Sequence, residues 1–128
     1  MKRLLFVCIE NANRSQMAQA FATIHGGEGV EAFSAGSRPS GIINAAAIAS
    51  MAELGYDLAT HSSKSIDEFR DQKFDAVITM GCGDDCPFIE CTYREDWQIP
   101  DPRNMDPDQF RLVRNQVELQ VRELLTKI

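Results

Sequence analysis

Positive charge is scarce in this sequence, which contains 13 lysine and arginine residues against 19 aspartate and glutamate residues and carries a formal net charge of −6. A nucleic-acid partner requires a surface rich in lysine and arginine, so we expect none. Apolar runs of membrane-spanning length are also missing, and we expect no membrane partner. The apolar stretch after Lys2 and Arg3 ends at Glu10. It is too short for a secretory signal, so we expect a cytoplasmic protein.

Histidine is equally rare, since His25 and His61 are the only two in the chain. Neither stands at a metal-ligand spacing from cysteines or carboxylates, so we expect both to be surface or packing residues. A Ser-His-Asp mechanism is unsupported for the same reason.

The pattern of apolar residues predicts one α/β domain spanning residues 1–128, which we expect to be a monomer. Strands are predicted at 2–8, 30–35, 74–80 and 91–95, and helices at 15–24, 44–54, 65–70 and 106–128. Four apolar residues of the first helix recur at helical spacing and should lie on the sheet: Met17, Ala20, Phe21 and Ile24. Strands that alternate with helices form a parallel sheet. The pattern therefore predicts a three-layer, flavodoxin-like fold with four parallel strands and helices on both faces.

The stretch that joins the first strand to the first helix carries the strongest functional signal. It reads Cys8, Ile9, Glu10, Asn11, Ala12, Asn13, Arg14 and Ser15. A strand, a tight loop and a helix in this order direct backbone N–H groups and the positive end of the helix dipole at one point, which favours an anion. Cys8 would meet the anion as its thiolate, and Arg14 would bind it from the far side. Ser15 would cap the helix and hydrogen-bond the thiolate.

A competing interpretation is a buried strand cysteine and a surface arginine that share this spacing by accident. Asn11, which suits a left-handed turn, and the capping residue that follows favour the anion loop instead. A carboxylate at Glu10 would repel an oxyanion, so we expect Glu10 to face solvent.

Three further cysteines follow the third predicted strand: Cys82, Cys86 and Cys91. If the first and third strands are neighbours, Cys82 comes within disulfide distance of Cys8. Inert packing, zinc binding and a relay of thiols are the three interpretations of this group. No histidine and no fourth nearby cysteine completes a closed zinc site, and glycines on both sides make Cys82 a poor core residue. We favour the relay, and we predict neither a resident metal nor a cofactor.

The spacing Cys-x5-Arg-Ser resembles the signature of the low-molecular-weight tyrosine phosphatases and of the arsenate reductases that share their fold. The loop departs from the commoner form, which has Gly at the position of Glu10 and Cys at that of Asn13. The whole chain is similar to the thioredoxin-coupled arsenate reductases, which carry a loop nucleophile, a cysteine soon after the third strand and a later cysteine followed by proline. These features match Cys8, Cys82 and Cys86. The resemblance also implies the strand order 2-1-3-4.

This resemblance implies a reaction and a set of roles. Cys8 would attack arsenate, a disulfide would form between Cys8 and Cys82, and Cys86 would then attack Cys82. Thioredoxin or another thiol reductant would recycle the enzyme. Asp101 would protonate the departing oxygen, because Asp101-Pro102 resembles the general-acid loop of the family. Oxyanion binding would fall to the loop residues Ile9, Glu10, Asn11, Ala12, Asn13 and Arg14. Whether Cys86 or Cys91 resolves the disulfide stays open.

Two other functions compete with arsenate reduction. A low-molecular-weight tyrosine phosphatase would use Cys8, Arg14 and Asp101 alone. Members of that family usually have aromatic residues where Arg103-Asn104 stand here, and they usually lack a thiol just after the third strand, so both features favour the reductase. The other candidate is an anion-binding sensor without turnover, which would consume no thiols.

Overall fold

The computed structural model describes residues 1–81 and 89–128, and these residues form a parallel sheet with three α-helices. The strands are β1 (Lys2–Cys8), β2 (Val30–Gly36), β3 (Lys73–Thr79) and β4 (Glu90–Asp96). The helices are α1 (Arg14–Gly26), α2 (Ala45–Ala52) and α3 (Pro107–Lys127), and short 3-10 helices lie at Gly27–Gly29, Leu58–Thr60 and Ile66–Phe69. None of the helices in the described ranges is both long and apolar enough to cross a membrane.

The four strands are ordered β2-β1-β3-β4 and all neighbours are parallel, which confirms the predicted fold class and strand order. β1 lies inside the sheet, and Leu4 to Val7 are fully buried, as a strand covered on both faces requires. Parallel pairing brings the carboxyl ends of β1, β2 and β3 to one edge. Cys8 is in register with Gly36, and Val7 with Thr79. The residues that directly follow these strands therefore lie close together, and Met80 N and Ser37 N donate to Val7 O and Cys8 O.

Side chains alternate between the two faces of β1 and so contribute to two apolar clusters. Leu4 and Phe6 pack with α1, α2 and α3 in one cluster. Leu5 and Val7 pack in the other with the 3-10 helix Ile66–Phe69. Helical segments thus cover both faces, as predicted. The predicted apolar face of α3 is buried at Phe110, Val113, Val117, Val121 and Leu124.

The first helix differs from its prediction at both ends. It begins at Arg14 and not at Ser15, so Ser15 is its second residue and not its cap. It continues to Gly26, and its last turn is exposed from Thr23 to His25. Ile24, expected on the sheet, is 44% exposed because this last turn extends beyond the core.

Candidate active site

A cavity of about 250 Å³ lies at the carboxyl edge of the sheet, where the loop after β1 meets the segment after β4. It is lined by Cys8, Ile9, Glu10, Ala12, Asn13, Arg14, Asp101 and Arg103. Cys8 and Arg14 therefore share one concave site, as the anion-loop interpretation requires. Asn11, also predicted to bind the substrate, does not line the cavity but supports the loop from behind.

The backbone of the loop is held with its carbonyl groups turned outward. The carbonyl oxygens of residues 8 to 13 all accept hydrogen bonds, from the backbone amides of Ser37, Arg38, Ser40, Asn44 and Met17 and from the side chain of Gln16. None of these donors lines the cavity. In the described part of the chain, the backbone amides of residues 9 to 13 donate no hydrogen bond. These amides are therefore left to bind an anion.

The N-terminus of α1 adds to this set of donors. Asn13 occupies the N-cap position, but its side chain makes no capping hydrogen bond. Its buried Oδ1 also has no partner among the described residues. Asn11 takes the left-handed conformation predicted for it, with φ of 52°. The first amides of the helix and the loop amides thus converge on the cavity without a competing side-chain acceptor.

The sulfur of Cys8 lies at the floor of the cavity, where the residue is only 3% exposed. Its Sγ is 2.9 Å from Ser15 Oγ. Asn11 Nδ2 donates to the same hydroxyl oxygen at 2.7 Å. Because that oxygen accepts from Asn11, the hydroxyl proton of Ser15 is left to point at the sulfur. The geometry is that of a hydroxyl donating to sulfur, so one of the two roles predicted for Ser15 has the required geometry.

A chain of hydrogen bonds continues behind the loop to His61. Gln16 Nε2 donates to Asn11 Oδ1 at 2.9 Å and to Ser62 O at 3.0 Å, which fixes the orientation of the amide. Gln16 Oε1 must therefore accept from His61 Nδ1, 3.0 Å away, and His61 Nε2 accepts from the Tyr56 hydroxyl. Burial, aided by the charge of Lys64, lowers the pKa of His61. A neutral imidazole with its proton on Nδ1 fits both contacts, and the prediction of a packing residue missed this supporting position.

Arg14 forms one wall of the cavity and is only 7% exposed. One guanidinium nitrogen donates to Ile99 O at 3.0 Å, and the other lies 3.9 Å from Asp101 Oδ2. Gly81, which follows β3, sits against the guanidinium with φ of 82°. A Cβ at this position would lie 2.7 Å from Arg14 Nη1. The absence of a side chain at position 81 thus leaves room for the arginine.

Glu10 and Arg103 face each other across the entrance of the cavity. The guanidinium of Arg103 donates to Glu10 Oε2, and its backbone amide donates to Asp101 Oδ1 at 3.1 Å. The Glu10 side chain is 35% exposed and so reaches solvent as expected, while the counter-charge of Arg103 holds its carboxylate at the entrance of the cavity. Sequence reasoning also missed Arg103 as a site residue. The available signal was an acidic residue inside an anion loop, which requires a cation nearby.

Among the described residues the free cysteines are Cys8 and Cys91. Cys91 is half-buried near the start of β4, and the strand register places it at the amino edge of the sheet. Cys8 ends β1 at the opposite edge. Cys82 and Cys86, predicted to take part in the relay, lie outside the described residues. Within residues 1–81 and 89–128, no three His, Cys, Asp or Glu side chains are arranged to hold a metal ion.

Comparison with known proteins gives consistent matches over the whole chain. Residues 3–128 match the low molecular weight phosphotyrosine protein phosphatase family. The chain is 38% identical to a glutaredoxin arsenate reductase from Synechocystis sp., over all of this chain and 99% of that protein. A solved structure of an arsenate reductase in the phosphate binding state is 39% identical, with a TM-score of 0.91 and coverage of 100% and 99% of the two chains. A structure of an arsenate reductase in the oxidized state is 37% identical, with a TM-score of 0.90 and coverage of 99% and 98%.

Proposed function

Because this chain belongs to the low molecular weight phosphotyrosine protein phosphatase family, we propose that it binds a tetrahedral oxyanion in the loop after β1 and reduces arsenate to arsenite. The observation that carries the proposal is the buried sulfur of Cys8, which faces a hydroxyl donor inside a cradle of unpaired amides closed by Arg14. The similar arsenate reductases, matched from end to end, favour arsenate as the substrate.

The first step is attack on arsenic by the Cys8 thiolate. A sulfur–arsenic bond forms, an arsenic–oxygen bond breaks, and Asp101 gives its proton to the departing oxygen, which leaves as water. Arg14 and the loop amides offset the charge on the remaining oxygens. The amide group of Asn13, which has an unpartnered oxygen beside the same cavity, supplies a further donor if its NH2 faces the anion.

The second step transfers two electrons to arsenic. The Cys82 thiolate attacks the sulfur of the Cys8 adduct, the sulfur–arsenic bond breaks, and its electron pair leaves with arsenic as arsenite. A Cys8–Cys82 disulfide results. Two contacts support this role for Cys82. Met80 N donates to Val7 O at 2.7 Å, and Gly81, the residue before Cys82 in the sequence, lies against Arg14.

The disulfide must then move to a place where an external thiol can reach it. We propose that Cys86 attacks Cys82 and releases the Cys8 thiolate. Cys91 is the less suitable candidate because it lies at the amino edge of the sheet, about 20 Å from Cys8 at roughly 3.3 Å per residue of strand. Thioredoxin or a glutaredoxin system would supply the final two electrons. Such a relay requires reduced thiols at rest, as in the cytoplasm, and needs only one domain and one copy of the chain.

Hydrolysis of phosphate esters is the second candidate function. The family itself and the position of Asp101 beside Arg14 favour it, since these groups are the ones a phosphatase would use with Cys8. We expect it as a residual activity, because a phosphoenzyme on Cys8 can be released by water without Cys82.

Single-turnover chemistry separates these functions. Reduced protein mixed with arsenate should lose two thiols per arsenite formed, and mass mapping should find Cys82 in the new disulfide. Cys8→Ser should abolish both arsenate reduction and aryl phosphate hydrolysis. Cys82→Ser should abolish reduction and spare hydrolysis. Arsenate binding without any loss of thiols would contradict the proposed reduction and favour a sensor.

Cys86→Ser and Cys91→Ser form a matched pair for the last step. With thioredoxin and its reductase present, Cys86→Ser should stop after one turnover, whereas Cys91→Ser should turn over like the unmodified protein. The opposite result would assign the resolving role to Cys91.

A further inference from the structure

The entrance of the cavity is built differently from its floor. Cys8 at the floor and Arg14 on the wall are almost completely buried, whereas the side chains of Glu10 and Arg103 are 35% and 57% exposed. The ion pair between these two residues joins the loop after β1 to the segment after β4 and so bridges the entrance. Both partners are held at their backbones. Glu10 O accepts from Ser40 N at 3.0 Å, and Arg103 N donates to Asp101.

The bridge affects two kinds of anion differently. A bare tetrahedral oxyanion fits beneath it, and Arg103 then adds positive potential while it neutralises Glu10. The organic group of a phosphate monoester must pass through the entrance and displace Arg103. The carboxylate of Glu10 is then left unpaired beside a dianion, and a charged rim gives an aromatic ring little apolar surface to pack on.

We propose that the Glu10–Arg103 ion pair is a specificity determinant that selects bare inorganic oxyanions over phosphate monoesters. The negative charge of Glu10 disfavours phosphate monoesters. Arg103 compensates this charge, so that a bare oxyanion still binds. This inference rests on the proposed oxyanion-binding function of the cavity, but it concerns which anion is admitted and not the redox steps that follow.

The test compares the affinities of inorganic phosphate and phenyl phosphate for the reduced protein. Each ligand is titrated against the rate at which iodoacetamide alkylates Cys8, followed by mass spectrometry of the Cys8 peptide. This readout needs no turnover. At about pH 8 both ligands are dianions, so their difference reports the organic group and not the charge.

Glu10→Gly should improve phenyl phosphate binding relative to phosphate by about tenfold, a size typical of one charge interaction near a protein surface. Arg103→Ala should weaken both ligands by a similar factor, because Glu10 is then unpaired. Adding Glu10→Gly to Arg103→Ala should restore phosphate binding. Such a recovery of phosphate affinity would show that the two substitutions are energetically coupled, a result that loss of structure alone would not produce.

Arg70→Ala is the matched control, since Arg70 forms an ion pair with Asp67 that is similarly exposed and does not line the cavity. It should change neither affinity. The inference is overturned if Glu10→Gly leaves the ratio of the two affinities unchanged, or if the double variant binds phosphate no better than Arg103→Ala. A protein that shows the expected ratios but does not reduce arsenate would refute the proposed reduction and leave the inference intact.

Discussion

Gly81→Ala tests whether the space beside Arg14 is required for anion binding. The backbone at Gly81 has φ of 82°, and a new Cβ would lie 2.7 Å from Arg14 Nη1. Ordinary contact begins near 3.4 Å, so the guanidinium would have to move by about 0.7 Å. Arg14 is buried, and the same Nη1 donates to Ile99 O at 3.0 Å. A shift of this size therefore misaligns the guanidinium toward the anion.

Gly55→Ala is the matched control for the backbone, because Gly55 also has φ of 82° but a Cβ there meets nothing within 4 Å. Each substitution should destabilise the fold by roughly 1–2 kcal/mol, the cost of an alanine in the left-handed region. Gly81→Ala should in addition weaken phosphate binding by roughly 10- to 100-fold, since a hydrogen bond to a charged group contributes roughly 1.5–3 kcal/mol.

Urea unfolding of both variants measures the loss of folding stability that the two substitutions share. Phosphate titration of the reduced protein measures the additional loss of affinity that comes from displacing Arg14. Phosphate is the right ligand because it is not reduced, so the step proposed for Cys82, the residue next to Gly81, does not enter the measurement. If the two variants bind phosphate equally well, the guanidinium has room to adjust, and the assignment of Gly81 as a positioning residue for Arg14 is wrong.

Three further predictions follow from contacts around the site and on the surface. Gly36→Ala should destabilise the fold by about 1–3 kcal/mol and abolish phosphate binding, because its Cβ would lie 2.6 Å from Ile9 O; urea unfolding and titration check both effects. Hydrogen bonds from Arg111 and Arg114 lower the pKa of Glu53 from 4.5 to about 2. Stability from this contact is full above about pH 4.5 and is lost as the pH falls toward 2, so Glu53→Gln should destabilise the protein at pH 5 and have little effect near pH 2. Because the pKa of His61 is lowered in the folded protein, the unfolded chain takes up a proton at higher pH than the folded one. The free energy of unfolding should therefore fall as the pH drops below 6.5. His61→Gln should reduce this pH dependence, as measured by urea unfolding at several pH values.

The architecture could be predicted from local patterns. A continuous apolar run marks β1 as a strand buried on both faces, and the alternation of strands with amphipathic stretches leads to a parallel sheet. The conformation of the loop that we propose to bind the anion was predictable too, since a strand, a turn residue and a helix start lie within eight consecutive residues, from Cys8 to Ser15. Asp101 was found through its resemblance to a known loop, and the structure places it beside Arg14.

Tertiary contacts determine which residues form the entrance of the cavity and which residues hydrogen-bond the side chains of the loop. Glu10 meets Arg103 across 93 residues, Arg14 meets Ile99 across 85, and Gln16 meets His61 across 45. No local pattern encodes such pairs, because they depend on which loops the sheet order brings to one edge. A side chain's own sequence neighbours determine whether it begins a helix or continues a strand. What it faces across a cavity is determined only when distant segments pack, and that is why the sequence alone did not reveal the ion pair between Glu10 and Arg103.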